Sequence, residues 1–180
     1  VPPGFIVTSK AYFDFLEENK FKSKIFRELQ HLDLTDPQSL NEVSQRIKRI
    51  IESGKISEKL ATEIINNYLK LGGIFSQAWV AIRSSATAED LPTASFAGQQ
   101  RTFLNIRGEA NVVERVKDCW ASLFEPRAIF YREEKKFDHF KVGIAVPIQE
   151  MIPSFVSGVM FTSDPVNLEK NRLVIEAIYG

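Results

Sequence analysis

Cysteine is almost absent from this sequence of 180 residues, in which Cys119 is the only one. A single cysteine cannot form an internal disulfide bond, which excludes a disulfide-stabilised scaffold and agrees with the reducing cytoplasm, where we expect the protein to be located. Because Cys119 precedes Trp120 in an apolar stretch, we interpret its thiol as part of the core rather than as a nucleophile.

The sequence also lacks net charge and long hydrophobic runs. Its 23 basic residues balance 23 acidic residues, so no excess of positive charge is present to attract nucleic acid or an anionic membrane surface. No apolar run reaches the roughly 20 residues that a membrane-spanning helix needs. Since 44% of the residues are apolar, the composition predicts one or two compact units with a hydrophobic core, and neither nucleic acid nor a membrane as partner.

The most informative stretch is VAIRSSATAEDLPTASFAGQ, at residues 80–99. An apolar run ends on Arg83 and is followed by a long segment of small residues, which predicts a buried strand that delivers one cation into a loop. Small side chains let a backbone approach a ligand closely, and hydroxyl groups add hydrogen-bond donors, as a phosphate chain requires. The spacing matches neither the Walker A pattern nor the dinucleotide fingerprint. From these residues alone, a phosphate-binding loop and an ordinary surface loop both remain open.

Hydrophobic periodicity divides the chain into a helical part and a strand-rich part. Four helices are predicted, over about residues 9–18, 23–31, 37–51 and 57–71, after a start at which Pro2, Pro3 and Gly4 argue against regular structure. Runs rich in Val, Ile and Phe predict strands over about residues 79–83, 101–106, 142–149, 156–163 and 173–178. One long helix, over about residues 110–132 with a bend near Pro126, interrupts these strands. The order of elements predicts an α+β fold, with helices first and an antiparallel type of sheet after them.

Several short segments accompany RSSATAEDLPTASFAGQ along the chain: VPPGFIVT, TFLN, CWASLF, RAIFYR, VPIQEM, SGVMFTSDP and VIEA. In this order they resemble the nucleotide-binding domain shared by phosphoenolpyruvate synthase, pyruvate phosphate dikinase and rifampicin phosphotransferase, and most closely that of the synthase. The resemblance covers most of the chain outside about residues 20–75. It implies an ATP-grasp fold, in which two α+β subdomains close on ATP.

In that fold, residues 1–150 would form the first subdomain, with a helical part at 1–75 and a strand-rich part at 76–150. Residues 151–180 would begin a second subdomain that is truncated here, so we expect the chain to be a piece of a longer enzyme.

The resemblance implies two groups of nucleotide-binding residues. Arg83 would contact phosphate and act in catalysis, since a planar guanidinium suits phosphate oxygens, whereas the alternative is a structural ion pair with Glu89 or Asp90. Gly98 and Thr102 match further positions that contact the nucleotide.

The second group lies where the resemblance puts a hinge between the subdomains. Gln149 would read the edge of the adenine ring, and Met151 would cover its face. The alternative for Gln149 is an amide at the end of a strand that faces water.

The implied function is to bind ATP and to support phosphotransfer to a carrier histidine on another domain of a pyruvate, water dikinase that acts on pyruvate and phosphoenolpyruvate. Mg²⁺ would be bound by residues outside this sequence, so we assign no metal ligand here and expect the isolated chain to be inactive. His31 and His139 are predicted at the surface or at helix ends rather than as the carrier. Alternatives are a rifampicin-type phosphotransferase, a pyruvate phosphate dikinase, and a non-catalytic nucleotide-binding module.

Overall fold

The computed structural model describes residues 1–72, 77–86, 101–164, 166–167 and 171–179. Four helices occupy most of the first 72 residues: α1 (Ser9–Glu18), α2 (Phe21–Leu29), α3 (Pro37–Glu52) and α4 (Glu58–Leu71). Within the described ranges, no helix is both long enough and apolar enough to cross a membrane.

Helix α3 shows why the sequence allows these helices to be predicted. The Asp36 carboxylate accepts hydrogen bonds from the backbone N–H groups of Gln38, at 2.9 Å, and Ser39, at 3.1 Å, which have no partner inside the helix. Pro37 begins the helix without losing a hydrogen bond. Helix α2 begins two residues earlier than predicted because Lys20, with a φ of 56°, turns the chain directly into it.

The rest of the described chain contains seven strands and two further helices. They are β1 (Gly4–Val7), β2 (Val80–Arg83), β3 (Ser85–Ala86), β4 (Thr102–Ile106), α5 (Glu109–Ala121), α6 (Pro126–Glu134), β5 (Ile144–Glu150), β6 (Val156–Phe161) and β7 (Val174–Tyr179). The predicted mixture of helices with an antiparallel sheet is confirmed.

Two predictions of local structure were wrong. Residues 4–7 form strand β1, because only Pro2 and Pro3 oppose pairing and the following residues alternate between the core and the surface. The single helix expected over residues 110–132, with a bend near Pro126, is instead divided near that proline into α5, a short 3₁₀ turn and α6. The division falls at Glu125, which is extended with a ψ of 147°, because Pro126 disfavours helical backbone in the residue before it.

The main sheet has the strand order β1-β5-β2-β4, and β3 pairs with the first residues of β5. Helices α1, α4 and α5 pack against one face of this sheet. On β2 and β5 the residues that face the helices are fully or almost fully buried: Val80, Ile82, Ile144, Val146 and Ile148. The residues between them face the opposite side, which no described element covers, and we call this side the open face.

Strands β6 and β7 form a separate antiparallel hairpin in which Val156 pairs with Tyr179 and Phe161 with Val174. Apolar side chains are exposed on both faces of this hairpin, including Val159, Met160 and Ile175.

The helical layer contains a buried arginine, Arg132 in α6, which is 1% exposed. Its guanidinium donates from Nε to Nδ1 of His139 at 2.9 Å, donates to the Leu123 carbonyl and lies over the Phe124 ring. Since Nδ1 accepts this hydrogen bond, the proton of the neutral ring resides on Nε2, which donates to Glu133 at 2.8 Å. His139 is therefore buried beyond the end of α6, and the prediction of a residue at the surface or at a helix end was wrong, because its ring fills the space beside Arg132. His31 is exposed, as predicted.

His139 should make stability depend on pH. Burial and the neighbouring Arg132 charge lower the pKa of His139 from its ordinary value of about 6.5. At a pH above that value, the ring is neutral in the folded and in the unfolded chain. As the pH falls below it, the ring takes up a proton in the unfolded chain but stays neutral in the folded chain. The free energy of unfolding therefore decreases. His139→Gln keeps one hydrogen-bond acceptor and one donor but cannot take up this proton. We expect the free energy of unfolding of this variant to decrease less steeply with falling pH, by up to about 1.4 kcal/mol per pH unit.

Urea unfolding of both proteins between about pH 7.5 and 5 measures this difference. His31→Gln serves as the matched control, because His31 is exposed. If the curves for the chain and for His139→Gln run parallel, His139 does not contribute to the pH dependence.

Candidate nucleotide site

Arg83 is the last residue of β2 and lies on the open face. Residues of a strand alternate between the two faces, and Ile82 beside it is fully buried among the helices, so Arg83 points the other way and is exposed. Its partner across the sheet is Thr102 at the start of β4. Directly paired residues of neighbouring strands share a face, which puts the Thr102 hydroxyl beside the guanidinium.

Gln149 lies on the same face, one strand away. It pairs with Ala81 of β2 on one side and with Gly4 of β1 on the other. Because Ala81 and Arg83 are two residues apart, Gln149 is a diagonal neighbour of Arg83, at about 7–8 Å by the usual spacing of a sheet. The register therefore gathers the predicted residues Arg83, Thr102 and Gln149 on one surface, which no described element covers.

Because Gly4 has no side chain, the Gln149 side chain can pack directly against its backbone. A β-carbon at Gly4 would lie 2.5 Å from the Ile148 carbonyl oxygen and 3.1 Å from Cγ of Gln149. Any larger residue at this position would push β1 away from β5. The glycine of the VPPGF segment therefore has a packing role beneath the amide of Gln149.

Met151 follows β5, and its backbone N–H donates to the Trp79 carbonyl at 2.8 Å. Met151 and Trp79 line a cleft of about 440 Å³ together with Asn105, Ile152 and Pro153. The segment from Gln149 to Met151, where the hinge was predicted, thus borders a cavity next to the open face. This cavity has apolar walls and a few polar groups, as ligand pockets commonly do.

Two residues of this cleft were not predicted from the sequence. Trp79 is half exposed, and the Arg107 guanidinium lies 5.5 Å from the centre of its ring. Asn105 has a φ of 56° and lies where the pairing of β2 with β4 shifts by one residue, and this bulge turns the strand end toward the cleft. Only the general tolerance of Asn for left-handed backbone could have indicated the bulge.

The loop expected from Ser84 to Gly98 is described only in part. Ser85 and Ala86 form the short strand β3 rather than loop, because they continue the pairing along β5. Gly98 lies outside the described residues, as do Glu89 and Asp90, the alternative ion-pair partners of Arg83. Among the residues that the structure describes, no carboxylate forms an ion pair with Arg83.

Cys119 lies in the core, as predicted, and takes no part in this surface. Its side chain is fully buried in α5, and burial raises the pKa of the thiol to about 12, so the nucleophilic thiolate is scarce at neutral pH. In the described part of the chain, no three His, Cys, Asp or Glu side chains come together in a way that could hold a metal ion.

Comparison with known proteins identifies the family. The family model described as pyruvate phosphate dikinase, AMP/ATP-binding domain, matches residues 1–180. The chain belongs to this family. It is thus a nucleotide-binding domain of the type that the sequence segments resemble.

Relatives with this domain are named as phosphoenolpyruvate synthases. The whole chain is 51% identical to a probable phosphoenolpyruvate synthase of Methanothermobacter thermautotrophicus, covering 26% of that protein, and 48% identical to one of Methanocaldococcus jannaschii, covering 15%. It is also 46% identical to the phosphoenolpyruvate synthase of Aquifex aeolicus, covering 22%. The chain therefore spans about a quarter or less of the length of these family members.

Gly4→Ala tests the packing beneath Gln149. The new methyl group would meet the backbone of Ile148, which cannot move aside, so we expect β1 to shift and the free energy of unfolding to fall by about 1–3 kcal/mol. Chemical denaturation measures this loss. Ile6→Ala is the matched control, since Ile6 lies on the same face of β1 and is exposed; an equal effect of both substitutions would contradict the close approach at Gly4.

Proposed function

We propose that this chain binds ATP on the open face, with the phosphates toward Arg83 and Thr102 and the adenine toward Gln149 and the Met151 cleft. The observation that carries this proposal is the shared face of Arg83, Thr102 and Gln149, since the register of three strands brings together side chains far apart in sequence. The match to an AMP/ATP-binding domain supports the nucleotide as ligand.

The phosphate end is suited to a charged group. The Arg83 guanidinium offers a planar fork of donors that fits phosphate oxygens, and the Thr102 hydroxyl adds an adjustable donor beside it. Glu89 and Asp90 would be alternative partners for the cation, and the kinetic effect of replacing Arg83 distinguishes the two roles.

The adenine end is suited to a flat base. An amide such as that of Gln149 carries both a donor and an acceptor, as the edge of adenine requires. The Met151 side chain is flexible and polarisable, and it can cover a ring face from inside the cleft. The half-exposed Trp79 ring gives the same cleft a flat apolar wall.

We propose that the whole protein acts as a pyruvate, water dikinase, as the names of the relatives suggest. ATP bound here would transfer a phosphoryl group to a carrier histidine on another domain, which then serves pyruvate and phosphoenolpyruvate. Catalysis of this kind is mostly positioning and charge stabilisation, the role that we assign to Arg83. Mg²⁺ would neutralise the phosphates through ligands outside this chain, and a cytoplasmic location would suit such an enzyme.

The domain arrangement proposed for this function is an ATP-grasp. Residues 1–150 would form its first subdomain, in which the helical part supports the strand-rich part, and residues 151–180 would start the second. The exposed apolar side chains on both faces of the β6–β7 hairpin support this division, because such a hairpin requires further structure to cover it. The relatives favour the synthase over the rifampicin-type alternative.

Two substitutions in the intact protein should separate the ends of the site. Arg83→Ala should cost about 2–4 kcal/mol of transition-state stabilisation, because it removes a charged donor from the transferring phosphate. Gln149→Ala should raise the KM for ATP with a smaller loss of kcat, since it weakens binding of the base in the ground and transition states alike.

Steady-state kinetics with ATP measures both effects. Arg49→Ala and Gln45→Ala are matched controls, because both residues are exposed on α3, away from the open face. If Arg83→Ala keeps kcat/KM within about threefold of the parent value, an effect below 1 kcal/mol, the phosphate role is wrong.

The chain of 180 residues on its own should not form phosphoenolpyruvate. The carrier histidine and the metal ligands of the proposed reaction lie outside it, so the group that would accept the phosphoryl group from ATP and pass it to pyruvate is missing. Radiolabelled ATP incubated with the chain and pyruvate measures product formation, with the intact protein as positive control. Reproducible turnover above background would contradict our assignment of the active-site parts.

A further inference from the structure

Arg101 connects the phosphate end of the site to the helical layer. Its backbone carbonyl accepts two hydrogen bonds from Ser84, one from the N–H and one from the hydroxyl, both at 3.1 Å. Ser84 directly follows Arg83, and Thr102 directly follows Arg101. The Arg101 backbone therefore lies beside both residues that we assign to phosphate.

The Arg101 side chain extends to the other side of the sheet. Its Nε lies 3.0 Å from Oε1 of Glu125, and the ammonium of Lys48 lies 3.1 Å from the same oxygen. The Lys48 side chain is 10% exposed and that of Glu125 is 22% exposed, whereas the Arg101 side chain is 51% exposed. One carboxylate thus joins a nearly buried lysine to an arginine at the sheet edge.

Glu125 is well placed to act as a fixed point. It lies between the 3₁₀ turn and α6, where the following Pro126 restricts its backbone. Lys48 belongs to α3, which packs against α6. The carboxylate is therefore held by the helical layer, while Arg101 belongs to the chain that enters β4.

We propose that Glu125 is a positioning residue for the phosphate end of the site. By binding Arg101 on the helix side, it holds the entry into β4, where Thr102 faces Arg83 across the open face. Without this contact, only the pairing with β2 and the Ser84 hydrogen bonds would hold this entry, and the two phosphate-binding side chains would have a less fixed spacing. Catalytic sites depend on such fixed spacing. The inference rests on the proposed ATP site, and neither Glu125 nor Arg101 is proposed to touch the nucleotide.

Substitutions in the intact protein distinguish positioning from a merely structural role. Glu125→Gln and Arg101→Met each remove the ionic contact, and we expect each to weaken ATP binding by about fivefold, a loss typical of one partly exposed charge pair. AMP binding should stay within twofold, since AMP lacks the β- and γ-phosphates. The double variant should resemble either single variant, because both remove the same contact.

Two controls separate general loss of stability from loss of position. Glu42→Gln weakens the pair with Arg46 within α3, at 3.7 Å, and should leave the ratio of ATP to AMP affinity unchanged. Glu28→Gln breaks the pair with Arg46, at 2.6 Å between α2 and α3, and should also leave the ratio unchanged. Isothermal titration with each nucleotide measures the affinities.

The outcomes are decisive for each proposal separately. If Arg83→Ala weakens ATP binding but Arg101→Met leaves the ratio of affinities unchanged, the positioning role is wrong and the ATP site stands. Additive losses of ATP affinity in the double variant would also overturn the positioning role. If Arg83→Ala leaves ATP binding unchanged, the proposed site itself fails. Should Glu125→Gln not fold, Arg101→Met decides the question, since that side chain is half exposed.

Discussion

Strand β5 exchanges main-chain hydrogen bonds with β1 on one side and with β2 and β3 on the other. This ladder fixes which residues of three strands share a face, because a shift by one residue would exchange the two faces of a strand. It directs Ile148 to the core and Gln149 to the open face. The core and the candidate site are therefore set by the same register, and neither could change alone.

Much of the fold follows from local patterns in the sequence. The start of α3 at residue 37, the apolar strand that ends at Arg83 and the apolar surroundings of Cys119 each depend on a few neighbouring residues, and the corresponding predictions agree with the structure. Strand β1 was missed because its pairing with β5 depends on residues far along the chain. The burial of His139 was missed for the same reason, since Arg132 and Phe124 create its environment only after folding.

The candidate site was predictable as a set of residues but not as a surface. Family resemblance indicated Arg83, Thr102 and Gln149, yet only the strand register puts them on one face. Trp79 and Asn105 carry no local signal for a cleft, because the bulge at Asn105 forms where β4 meets β2. The contact of Arg101 with Glu125 could likewise not be predicted. Glu125 lies on another element, and an isolated charged residue in a sequence normally indicates solvent exposure.

The pairing of residues 4–7 with residues 146–149 has a consequence for how the chain folds during synthesis. The ribosome releases β1 early and β5 much later, so the first strand must wait without its partner while the helices form. Contacts between distant parts of a chain also slow folding, because a large loop must close before they form. We infer that helical packing guides the late insertion of β5 between β1 and β2, and that the open face is among the last features to appear.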